Sequence, residues 1–428
     1  MQETLICMSL ALFVGLMMNR VAKLVHLPAV TGYLVTGLLL GPFCVGRLGI
    51  SGLGFCSLQQ VESYAIISDM ALGFIAFTLG NEFRIHDLRA MGRQAVTVGI
   101  VQAVFTTLLV DLVLVGMHFL SPALISLPSA VTLGAIAAAT APAATLMVVR
   151  QYKADGPLTR LLLMVVAIDD AVGLIVFSIS YGVATALESG SISLLTVVVE
   201  PLVEIVLSVL LGLAAGLVLD WSERYFHSRG NRMSMTIAFV LLTVGLSGVE
   251  FDVGPVHCGF SLLLVCMMTG TVFCNVCSAS DVLMERLDRW TTPLSVLFFV
   301  LSGAELDLNI LKNPLVLLVG AAYIFSRSLG KISGAYLSST ATGCSRDIRK
   351  YLGITLLPQA GVALGMAQTA AQLSDGQIVR NVVLFSVLVY ELVGPALTKM
   401  ALTHAGEIRP DQTEDPSQVP TLAWQKPE

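Results

Sequence analysis

Two adjacent aspartates, Asp169 and Asp170, lie inside an otherwise uncharged apolar stretch that runs from Leu161 to Leu187. A stretch of this length is typical of a membrane-spanning helix, because about 20 apolar residues cross the hydrocarbon core. Each ionised carboxylate at the bilayer centre costs about 2.5–3.5 kcal/mol on insertion scales. Helix packing gives no reason to keep two such groups together. We therefore expect the pair to hold something positive, either a proton or a metal cation.

Two basic residues, Arg327 and Lys331, also fall inside an apolar span. They are four residues apart and therefore share one helix face. Because a basic residue within the membrane normally pairs with an acid, either of them is a candidate partner for Asp169. Such a pair has two interpretations, since Asp169 either titrates or only balances a charge. Lys331 could also extend to the membrane surface instead, but it is the one of the two bases that can release its proton.

The composition explains why these charges stand out. Of 428 residues, 55% are hydrophobic and 12% are charged, whereas a soluble domain carries about 25% charged residues. We predict an all-α polytopic membrane protein whose transmembrane domain covers residues 1–402, followed by a disordered polar tail at 403–428. Thirteen spans are predicted, at 4–24, 28–42, 61–83, 93–119, 129–149, 160–187, 195–220, 233–250, 257–277, 291–308, 314–338, 350–372 and 378–402.

The Lys and Arg residues alternate sharply between the two sides of these spans. When a residue within a few positions of a span's end is counted with the adjoining connection, nineteen of the 24 belong to the odd-numbered connections or the C-terminal end, and only Arg47, Lys312 and Arg380 belong to the even-numbered ones. Since basic residues concentrate on the cytoplasmic side, we predict an outside N-terminus and a cytoplasmic C-terminus. The alternation also supports the number of spans, because one missed helix would disturb every later connection.

Two segments resemble each other at an offset of 223 residues, one ending in Gly-x-Glu82 and the other in Gly-x-Glu305. Each belongs to a set of five spans, the first at about 28–187 and the second at about 257–402. The sets are seven spans out of step, so they cross the membrane in opposite directions. Such inverted five-helix repeats are typical of secondary transporters, whose substrate site lies near the bilayer midplane.

The repeats also predict two broken helices. Thr140-Ala-Pro142 lies in the fourth span of the first repeat, and Pro358-Gln359-Ala-Gly361 lies at the matching place in the second. Proline removes a backbone donor, so each motif predicts either a kink or an interruption. Interrupted helices at matching positions point to an ion site. The side-chain oxygens of Thr140 and Gln359 suit a hard alkali cation, although each could equally cap its break. Glu391 lies near the counterpart of Asp170 in the second repeat.

The motifs together resemble one known family, the monovalent cation:proton antiporters, and within it the bacterial second branch of sodium/proton antiporter type. The resemblance covers about residues 5–402. It rests on a signature in the second span and on motifs in the family's order and spacing: Leu27 to Pro42, Thr140 to Pro142, Asp169-Asp170, Arg327-x-x-Gly330 and Pro358 to Gly361.

The resemblance implies roles for the charged residues. Asp170 matches the family's invariant carboxylate and would be the shared ligand of the cation and the proton. Asp169 occupies a variable position, where Asp accompanies electrogenic exchange of two protons per sodium, Asn accompanies neutral exchange, and uncharged residues such as Gln occur in potassium-efflux relatives. Arg327 sits where electrogenic relatives tend to have Lys, which departs from their pattern. The family further implies that the two broken helices, in the fifth and twelfth spans, cross each other. It also implies a homodimer, with a dimerisation panel and a mobile core that moves like an elevator.

We therefore predict a secondary active antiporter of the bacterial inner membrane that exchanges sodium, or lithium, for protons. It would need no cofactor, and its partners would be the cation, protons and the lipid bilayer. The alternative within the same fold is a potassium/proton antiporter, against which the Asp-Asp pair argues. A passive cation channel is disfavoured because the sequence has no TVGYG-like filter. We expect no enzyme, since the sequence has no His-rich metal cluster, Ser nucleophile motif or phosphate loop.

Overall fold

The computed structural model describes residues 2–408, apart from 26, 51, 81–82, 190–198, 227, 254–255, 278–279, 307 and 309–311. Some side chains within the described backbone also lie outside the description, namely those of 2, 86–91, 170–171, 200–201, 229, 253, 256–257, 281, 361 and 368. Asp170 is therefore placed by its backbone alone. The tail predicted at 403–428 lies outside the described residues from 409 onward.

The described part of the chain is almost entirely helical. Its helices are α1 (Gln2–Leu24), α2 (Ala29–Leu40), α3 (Leu58–Glu62), α4 (Ala65–Gly80), α5 (Ile85–Leu120), α6 (Leu127–Ile136), α7 (Pro142–Gln151), α8 (Pro157–Ser189), α9 (Glu200–Glu223), α10 (Arg229–Ser247), α11 (Leu262–Val276), α12 (Ser280–Glu305), α13 (Pro314–Ala341), α14 (Arg346–Thr355), α15 (Gly361–Ala370) and α16 (Gly376–His404). A single 3₁₀ turn spans Val45–Leu48.

Several of these helices suit a membrane. Within the described residues, seven are long and apolar enough to cross one by length and composition, and α4, α6 and α11 are shorter apolar helices. Every predicted span overlaps one helix or two consecutive helices. The span predicted at 61–83 is not one continuous helix, because α3 ends at Glu62 and α4 begins at Ala65. Ser63 Oγ donates to the carbonyl oxygen of Gln60 at 2.6 Å, which competes with continued helical bonding there.

A short β-hairpin departs from the all-helical prediction. Strand β1 (Phe251–Val253) pairs antiparallel with β2 (Val256–Cys258), and Asp252 lies opposite His257. The span predicted to start at 257 therefore begins as helix only at Leu262. Valine on both strands favours the extended backbone, because β-branched side chains fit a strand better than a helix.

Two of the predicted spans, 129–149 and 350–372, are each interrupted near the middle and form two consecutive helices. Helices α6 and α7 are separated by residues 137–141, and α14 and α15 by residues 356–360. Pro142 is the first residue of α7, a position where the missing N–H has no helical partner to lose. The two breaks touch directly, because the N–H of Ala141 donates to the carbonyl oxygen of Pro358 at 2.9 Å. In contrast, Pro293 and Pro395 lie inside α12 and α16 without ending them.

Two helix pairs approach each other backbone to backbone. Helix α2 packs against α12, and α4 packs against α11. A Cβ atom on Gly37, Gly303, Gly80 or Gly270 would overlap a carbonyl oxygen of the partner helix. Small residues permit this close contact, which is a common way for helices to associate in membranes. Helix α5 lies along α13 between the two interrupted pairs, and α8 packs on α5 and α6.

Candidate cation site

The carboxylate of Asp169 lies at the first helix break, where α8 packs on α6. Its side chain has no solvent exposure. Oδ2 accepts hydrogen bonds from Thr140 Oγ1 at 2.6 Å and from Lys331 Nζ at 2.9 Å. Oδ1 accepts from Nε2 of Gln102, which reaches it from α5. Three donors from three different elements therefore converge on one buried carboxylate.

Lys331 is the basic partner of Asp169 in this structure. Its ammonium group is fully buried and donates to the carbonyl oxygen of Ala138 at 2.6 Å, to Thr140 Oγ1 at 2.9 Å and to Asp169 Oδ2. The surface-extended orientation considered for Lys331 is therefore not adopted. Removing two charges from water is costly, and this pair is tolerated because each charge has a partner and further hydrogen bonds.

Arg327 does not meet Asp169 but holds the backbone of both breaks. Its Nε donates to the carbonyl oxygen of Ala137 at 3.0 Å, Nη2 to that of Ala139 at 2.6 Å, and Nη1 to that of Leu357 at 2.7 Å. The guanidinium also lies over the ring of Tyr390, 4.5 Å from its centroid. A planar fork of donors suits three carbonyls better than a point charge would.

The two bases occupy a position that the interrupted helices create. Helices α6 and α14 both end at the crossing, and the last carbonyls of a helix lack intrahelical partners and carry partial negative charge. Arg327 and Lys331, one turn apart on α13, supply donors to the carbonyls of residues 137, 138 and 357, which lie just beyond these helix ends. Their burial is therefore a consequence of the crossing as well as of the acid at 169.

Gln359 lies in the second break with its amide engaged on both sides. Nε2 donates to the carbonyl oxygen of Ile136 at 3.1 Å and to the hydroxyl of Tyr323 at 3.0 Å, while Oε1 accepts from Ser386 Oγ at 2.9 Å. These contacts join the second break to α6, α13 and α16. The side chain thus links helices across the crossing, and its oxygen keeps one lone pair.

The structure brings some of the predicted site residues together and separates others. Asp169, Thr140 and Lys331 form one hydrogen-bonded cluster, in which Thr140 Oγ1 both donates to the acid and accepts from the ammonium. Arg327 and Gln359 bind the adjoining carbonyls instead. Pro142 begins α7, Pro358 lies in the second break, and the side chain of Asp170 lies outside the description.

Four residues of this region were not predicted from the sequence. Gln102 bonds to Asp169, Tyr390 stacks under Arg327, and Tyr323 and Ser386 bind the Gln359 amide. The sequence offered only weak evidence for a role of these residues, since each of the four is a single polar side chain within a long apolar helix. Gln102 had the clearest one, because an amide is costly in the hydrocarbon core without a partner.

The arrangement can exchange one positive charge for another. The donors described around Asp169 are the side chains of Gln102, Thr140 and Lys331, and Lys331 also binds the oxygen of Thr140 and the carbonyl oxygen of Ala138. Oxygen donors of this kind suit a hard cation.

Comparison with known proteins identifies the family. The family described as "sodium/hydrogen exchanger, transmembrane" matches residues 8–404. The chain is 24% identical over 358 residues to the Na⁺/H⁺ antiporter NhaS4 of Synechocystis, covering 82% of this chain and 83% of that one. It is also 24% identical over 408 residues to the putative cation/proton antiporter YbaL of Escherichia coli, covering 89% of this chain and 66% of that one.

Solved structures share the fold. Two structures of the sodium proton antiporter MjNhaP1 from Methanocaldococcus jannaschii are similar, with TM-scores of 0.65 and 0.69. Sequence identity is 20% and 18%, and the matches cover 95% and 94% of this chain and 99% and 98% of the others. The resemblance noted in the sequence is thus confirmed by matches that span nearly the whole chain. This protein is an integral membrane protein of the transmembrane sodium/hydrogen exchanger family, a family of cation/proton antiporters and not of enzymes.

Proposed function

We propose that the protein exchanges sodium, or lithium, for protons, and that the exchange is electrogenic. The observation that carries the proposal is the buried ion pair between Lys331 and Asp169 beside the two helix breaks. In this buried pair, Lys331 keeps its proton because the negative charge of Asp169 lies beside it. A cation that binds Asp169 neutralises this charge, and Lys331 can then release its proton.

Asp170 is assigned as the shared ligand. It follows Asp169 directly on α8, and adjacent residues of a helix are about 100° apart around its axis. A bound sodium would be held by Asp170, with Asp169, Thr140, Gln359 and carbonyl oxygens of the breaks as further ligands. Binding would release one proton from Asp170 and one from Lys331. Two protons then move against one sodium, which transfers net charge.

The helix packing supports the inverted repeats. If 28–187 corresponds to 257–402, then α2 corresponds to α11 and α4 to α12. The contact of α2 with α12 then maps onto the contact of α11 with α4, and both contain a close glycine pair. Gly80 and Gly303 are separated by the same offset of 223 residues that relates the two Gly-x-Glu segments. We infer thirteen crossings, an outside N-terminus and a cytoplasmic C-terminus and tail, from 403 to 428.

The same packing supports a division into a mobile core and a panel. Helices α5 to α8 and α13 to α16 surround the crossing, whereas α2, α4, α11 and α12 pack on one another. We propose that the first group moves as an elevator against the second. Helix α9 presents an exposed apolar stripe suited to a homodimer contact or lipid, consisting of Leu202, Val206, Leu210, Leu213 and Leu217. The proposed location is the bacterial inner membrane.

The proposal is tested in proteoliposomes that contain purified full-length protein and carry an imposed pH gradient. Addition of sodium should dissipate the gradient, and lithium should replace sodium. Asp170→Asn should abolish the response while the protein stays folded, as judged by size-exclusion chromatography. Asp347→Asn is the matched control, because Asp347 is an exposed carboxylate in the first turn of α14.

A cation series at constant pH decides between the two antiporter types. Dissipation by sodium and lithium but not potassium supports the proposal, and dissipation by potassium alone establishes the potassium/proton alternative. If none of the three cations moves protons in the unaltered protein, the antiport proposal is wrong. If cations flow without moving protons, the passive channel is the better description.

A further inference from the structure

Glu407 is a buried carboxylate that the proposed exchange does not use. It follows the end of α16, and 9% of its surface is exposed. Gly406 before it has a left-handed φ of 74°, and its N–H donates to the carbonyl oxygen of Thr403 at 3.0 Å. The N–H of Glu407 itself donates to the carbonyl oxygen of Leu402 at 3.1 Å. This pair of bonds is typical of a glycine that ends a helix and turns the chain, so Glu407 stands on a fixed turn.

The carboxylate of Glu407 caps the first turn of α8. Oε1 accepts from the N–H of Leu158 at 2.7 Å, and Oε2 accepts from both the N–H and Oγ1 of Thr159, each at 2.7 Å. Pro157 has no N–H, and the N–H of Arg160 already donates to a backbone carbonyl one turn earlier at 3.0 Å. Glu407 therefore satisfies the two N–H groups of residues 157–160 that lack a partner within the helix. A negative charge at this end of a helix is also favoured by the helix dipole.

The Glu407 carboxyl group occupies the space that a side chain at residue 156 would need. Gly156 directly precedes α8, and a Cβ atom there would lie 2.3 Å from Cδ of Glu407. A helix commonly takes its capping side chain from the residue before it, but glycine has none, and Glu407 supplies the acceptor instead. The N–H of Asp155 also donates to the carbonyl oxygen of Glu407 at 3.2 Å, and Lys399 Nζ lies 4.7 Å from the centroid of the Tyr152 ring. The end of α16 is thus bound to the turn before α8.

This cap joins two helices that both reach the helix crossing. Helix α8 carries Asp169, which lies about 15 Å along the helix from Thr159 at 1.5 Å per residue. Helix α16 bonds to the second break, because Ser386 Oγ donates to Oε1 of Gln359 at 2.9 Å. Apolar packing has no direction, so it sets the position of α8 along its own axis only loosely. Hydrogen bonds depend strongly on distance and angle, so the Glu407 cap can set that position closely.

We propose that Glu407 is a positioning residue for the cation site, which holds α8 where Asp169 meets Thr140 and Lys331. The inference rests on the proposed function, because this site is the one proposed to bind the cation. The bonds of Asp169 to Thr140 and Lys331 are 2.6 and 2.9 Å long, so a small movement of α8 along its axis would break them. A misplacement of about 1 Å can cost about a hundredfold in rate.

Hydrogen exchange of the purified full-length protein in detergent tests the positioning without transport. The unaltered chain is compared with Glu407→Ala and with the milder Glu407→Gln, whose amide keeps one acceptor oxygen. We expect faster exchange at the start of α8 and also at residues 137–141, because Thr140 in that break binds Asp169. The alanine variant should show the larger change. Asp347→Asn is the control, since Asp347 is an exposed carboxylate in the first turn of α14. Faster exchange confined to the start of α8 would show that Glu407 only caps the helix, and would overturn the proposal.

Gly156→Ala disturbs the same contact from its other side, because the added methyl group displaces the Glu407 carboxyl group. It should change exchange at residues 137–141 as Glu407→Ala does, and the two substitutions combined should be no worse than Glu407→Ala alone. Additive effects of the two substitutions would mean that they do not act through one contact, which contradicts the proposal.

Sodium-driven proton movement in proteoliposomes separates positioning from a loss of folded protein. We expect Glu407→Ala to raise the sodium concentration at half-maximal rate about tenfold, as when a group that orients a ligand is lost, and Glu407→Gln to raise it less. A lower maximal rate with an unchanged half-maximal concentration would show a structural role alone. If the unaltered protein moves no protons with any cation, the proposed function fails, whereas the exchange comparison still decides whether Glu407 positions Asp169.

Discussion

The ammonium nitrogen of Lys331 lies 2.9 Å from Oδ2 of Asp169, and neither side chain has any exposure to solvent. The two residues come from helices that are distant in the sequence, α13 and α8. Thr140 Oγ1 bonds to both of them, so the break between α6 and α7 is tied to the pair. A change at any one of the three residues should therefore affect the charge balance and the local backbone together.

Removing the lysine should be more harmful than removing the pair. Lys331→Gln leaves Asp169 as an uncompensated buried charge, and we expect a loss of about 3–5 kcal/mol in the free energy of unfolding. The double variant Asp169→Asn with Lys331→Gln should recover much of that loss, because no charge is left unpaired. Thermal unfolding in detergent measures both. Lys350→Gln, at an exposed position, is the control, and equal losses in the single and double variants would show that the pair is not coupled.

The charge at position 169 should determine the response to voltage. Asp169→Asn removes the counter-charge that keeps Lys331 protonated, so one proton fewer should move per cycle. Sodium-driven proton movement should persist in proteoliposomes but lose its dependence on an imposed membrane potential. A variant that keeps the voltage dependence of the unaltered protein would show that Asp169 carries no transported charge.

Arg327→Lys should loosen the helix crossing although it keeps the charge. A lysine can reach one or two of the three carbonyl oxygens that the guanidinium binds, and at least one would be left without its donor. We expect a loss of about 1–3 kcal/mol in stability for a buried carbonyl without a partner. Hydrogen exchange should quicken at residues 137–141 and 356–360. Unchanged exchange at both breaks would mean that other contacts hold them.

Gln359→Leu should both destabilise the protein and weaken cation binding, because it removes the hydrogen bonds of the amide and one proposed sodium ligand. The substitution removes three hydrogen bonds and leaves the carbonyl of Ile136 and the hydroxyls of Tyr323 and Ser386 without this partner. The expected loss is at least about 1–3 kcal/mol. Gln372→Leu, at an exposed position, is the control. A loss of stability with unchanged sodium affinity would show that Gln359 links the helices but does not bind the cation.

A contact at the other end of α7 should respond to pH. Arg150 Nη1 lies 2.8 Å from Asp288 Oδ1, outside the predicted spans, and joins α7 to the start of α12. Burial raises the pKa of Asp288 above its ordinary value, and the charge of Arg150 opposes that shift. Because the folded-state pKa is the higher one, the folded protein holds this proton more tightly than the unfolded chain does. The contribution of Asp288 to stability is therefore greatest at acidic pH and falls as pH rises from the ordinary aspartate pKa through the raised one.

The difference in melting temperature between the unaltered protein and Asp288→Asn measures this contribution at each pH. It should decline with rising pH in that window, and in Arg150→Gln the decline should extend to higher pH because the opposing charge is gone. A difference that grows with pH would show that the ion pair outweighs burial.

Local features of the sequence were enough to predict the membrane character, the family and the positions of the two helix breaks. Apolar length and the two proline motifs are each read within one segment, because spanning a membrane and losing a backbone donor are local events. The short hairpin at 251–258 and the turn between α3 and α4 were missed, since their bonding competes closely with helix formation in apolar sequence.

The choice of partners was decided only in three dimensions. Arg327 and Lys331 are one turn apart on the same face of α13, so spacing alone could not tell which of them meets Asp169. The crossing of the two interrupted helices decides it: the carbonyls of residues 137, 139 and 357 surround the guanidinium, and only Lys331 reaches the acid. The contact of Gln102 with Asp169 likewise depends on the packing of α5 against α8. Which charges pair depends on where separate helices place their unsatisfied backbone groups, and that information exists only after the helices pack.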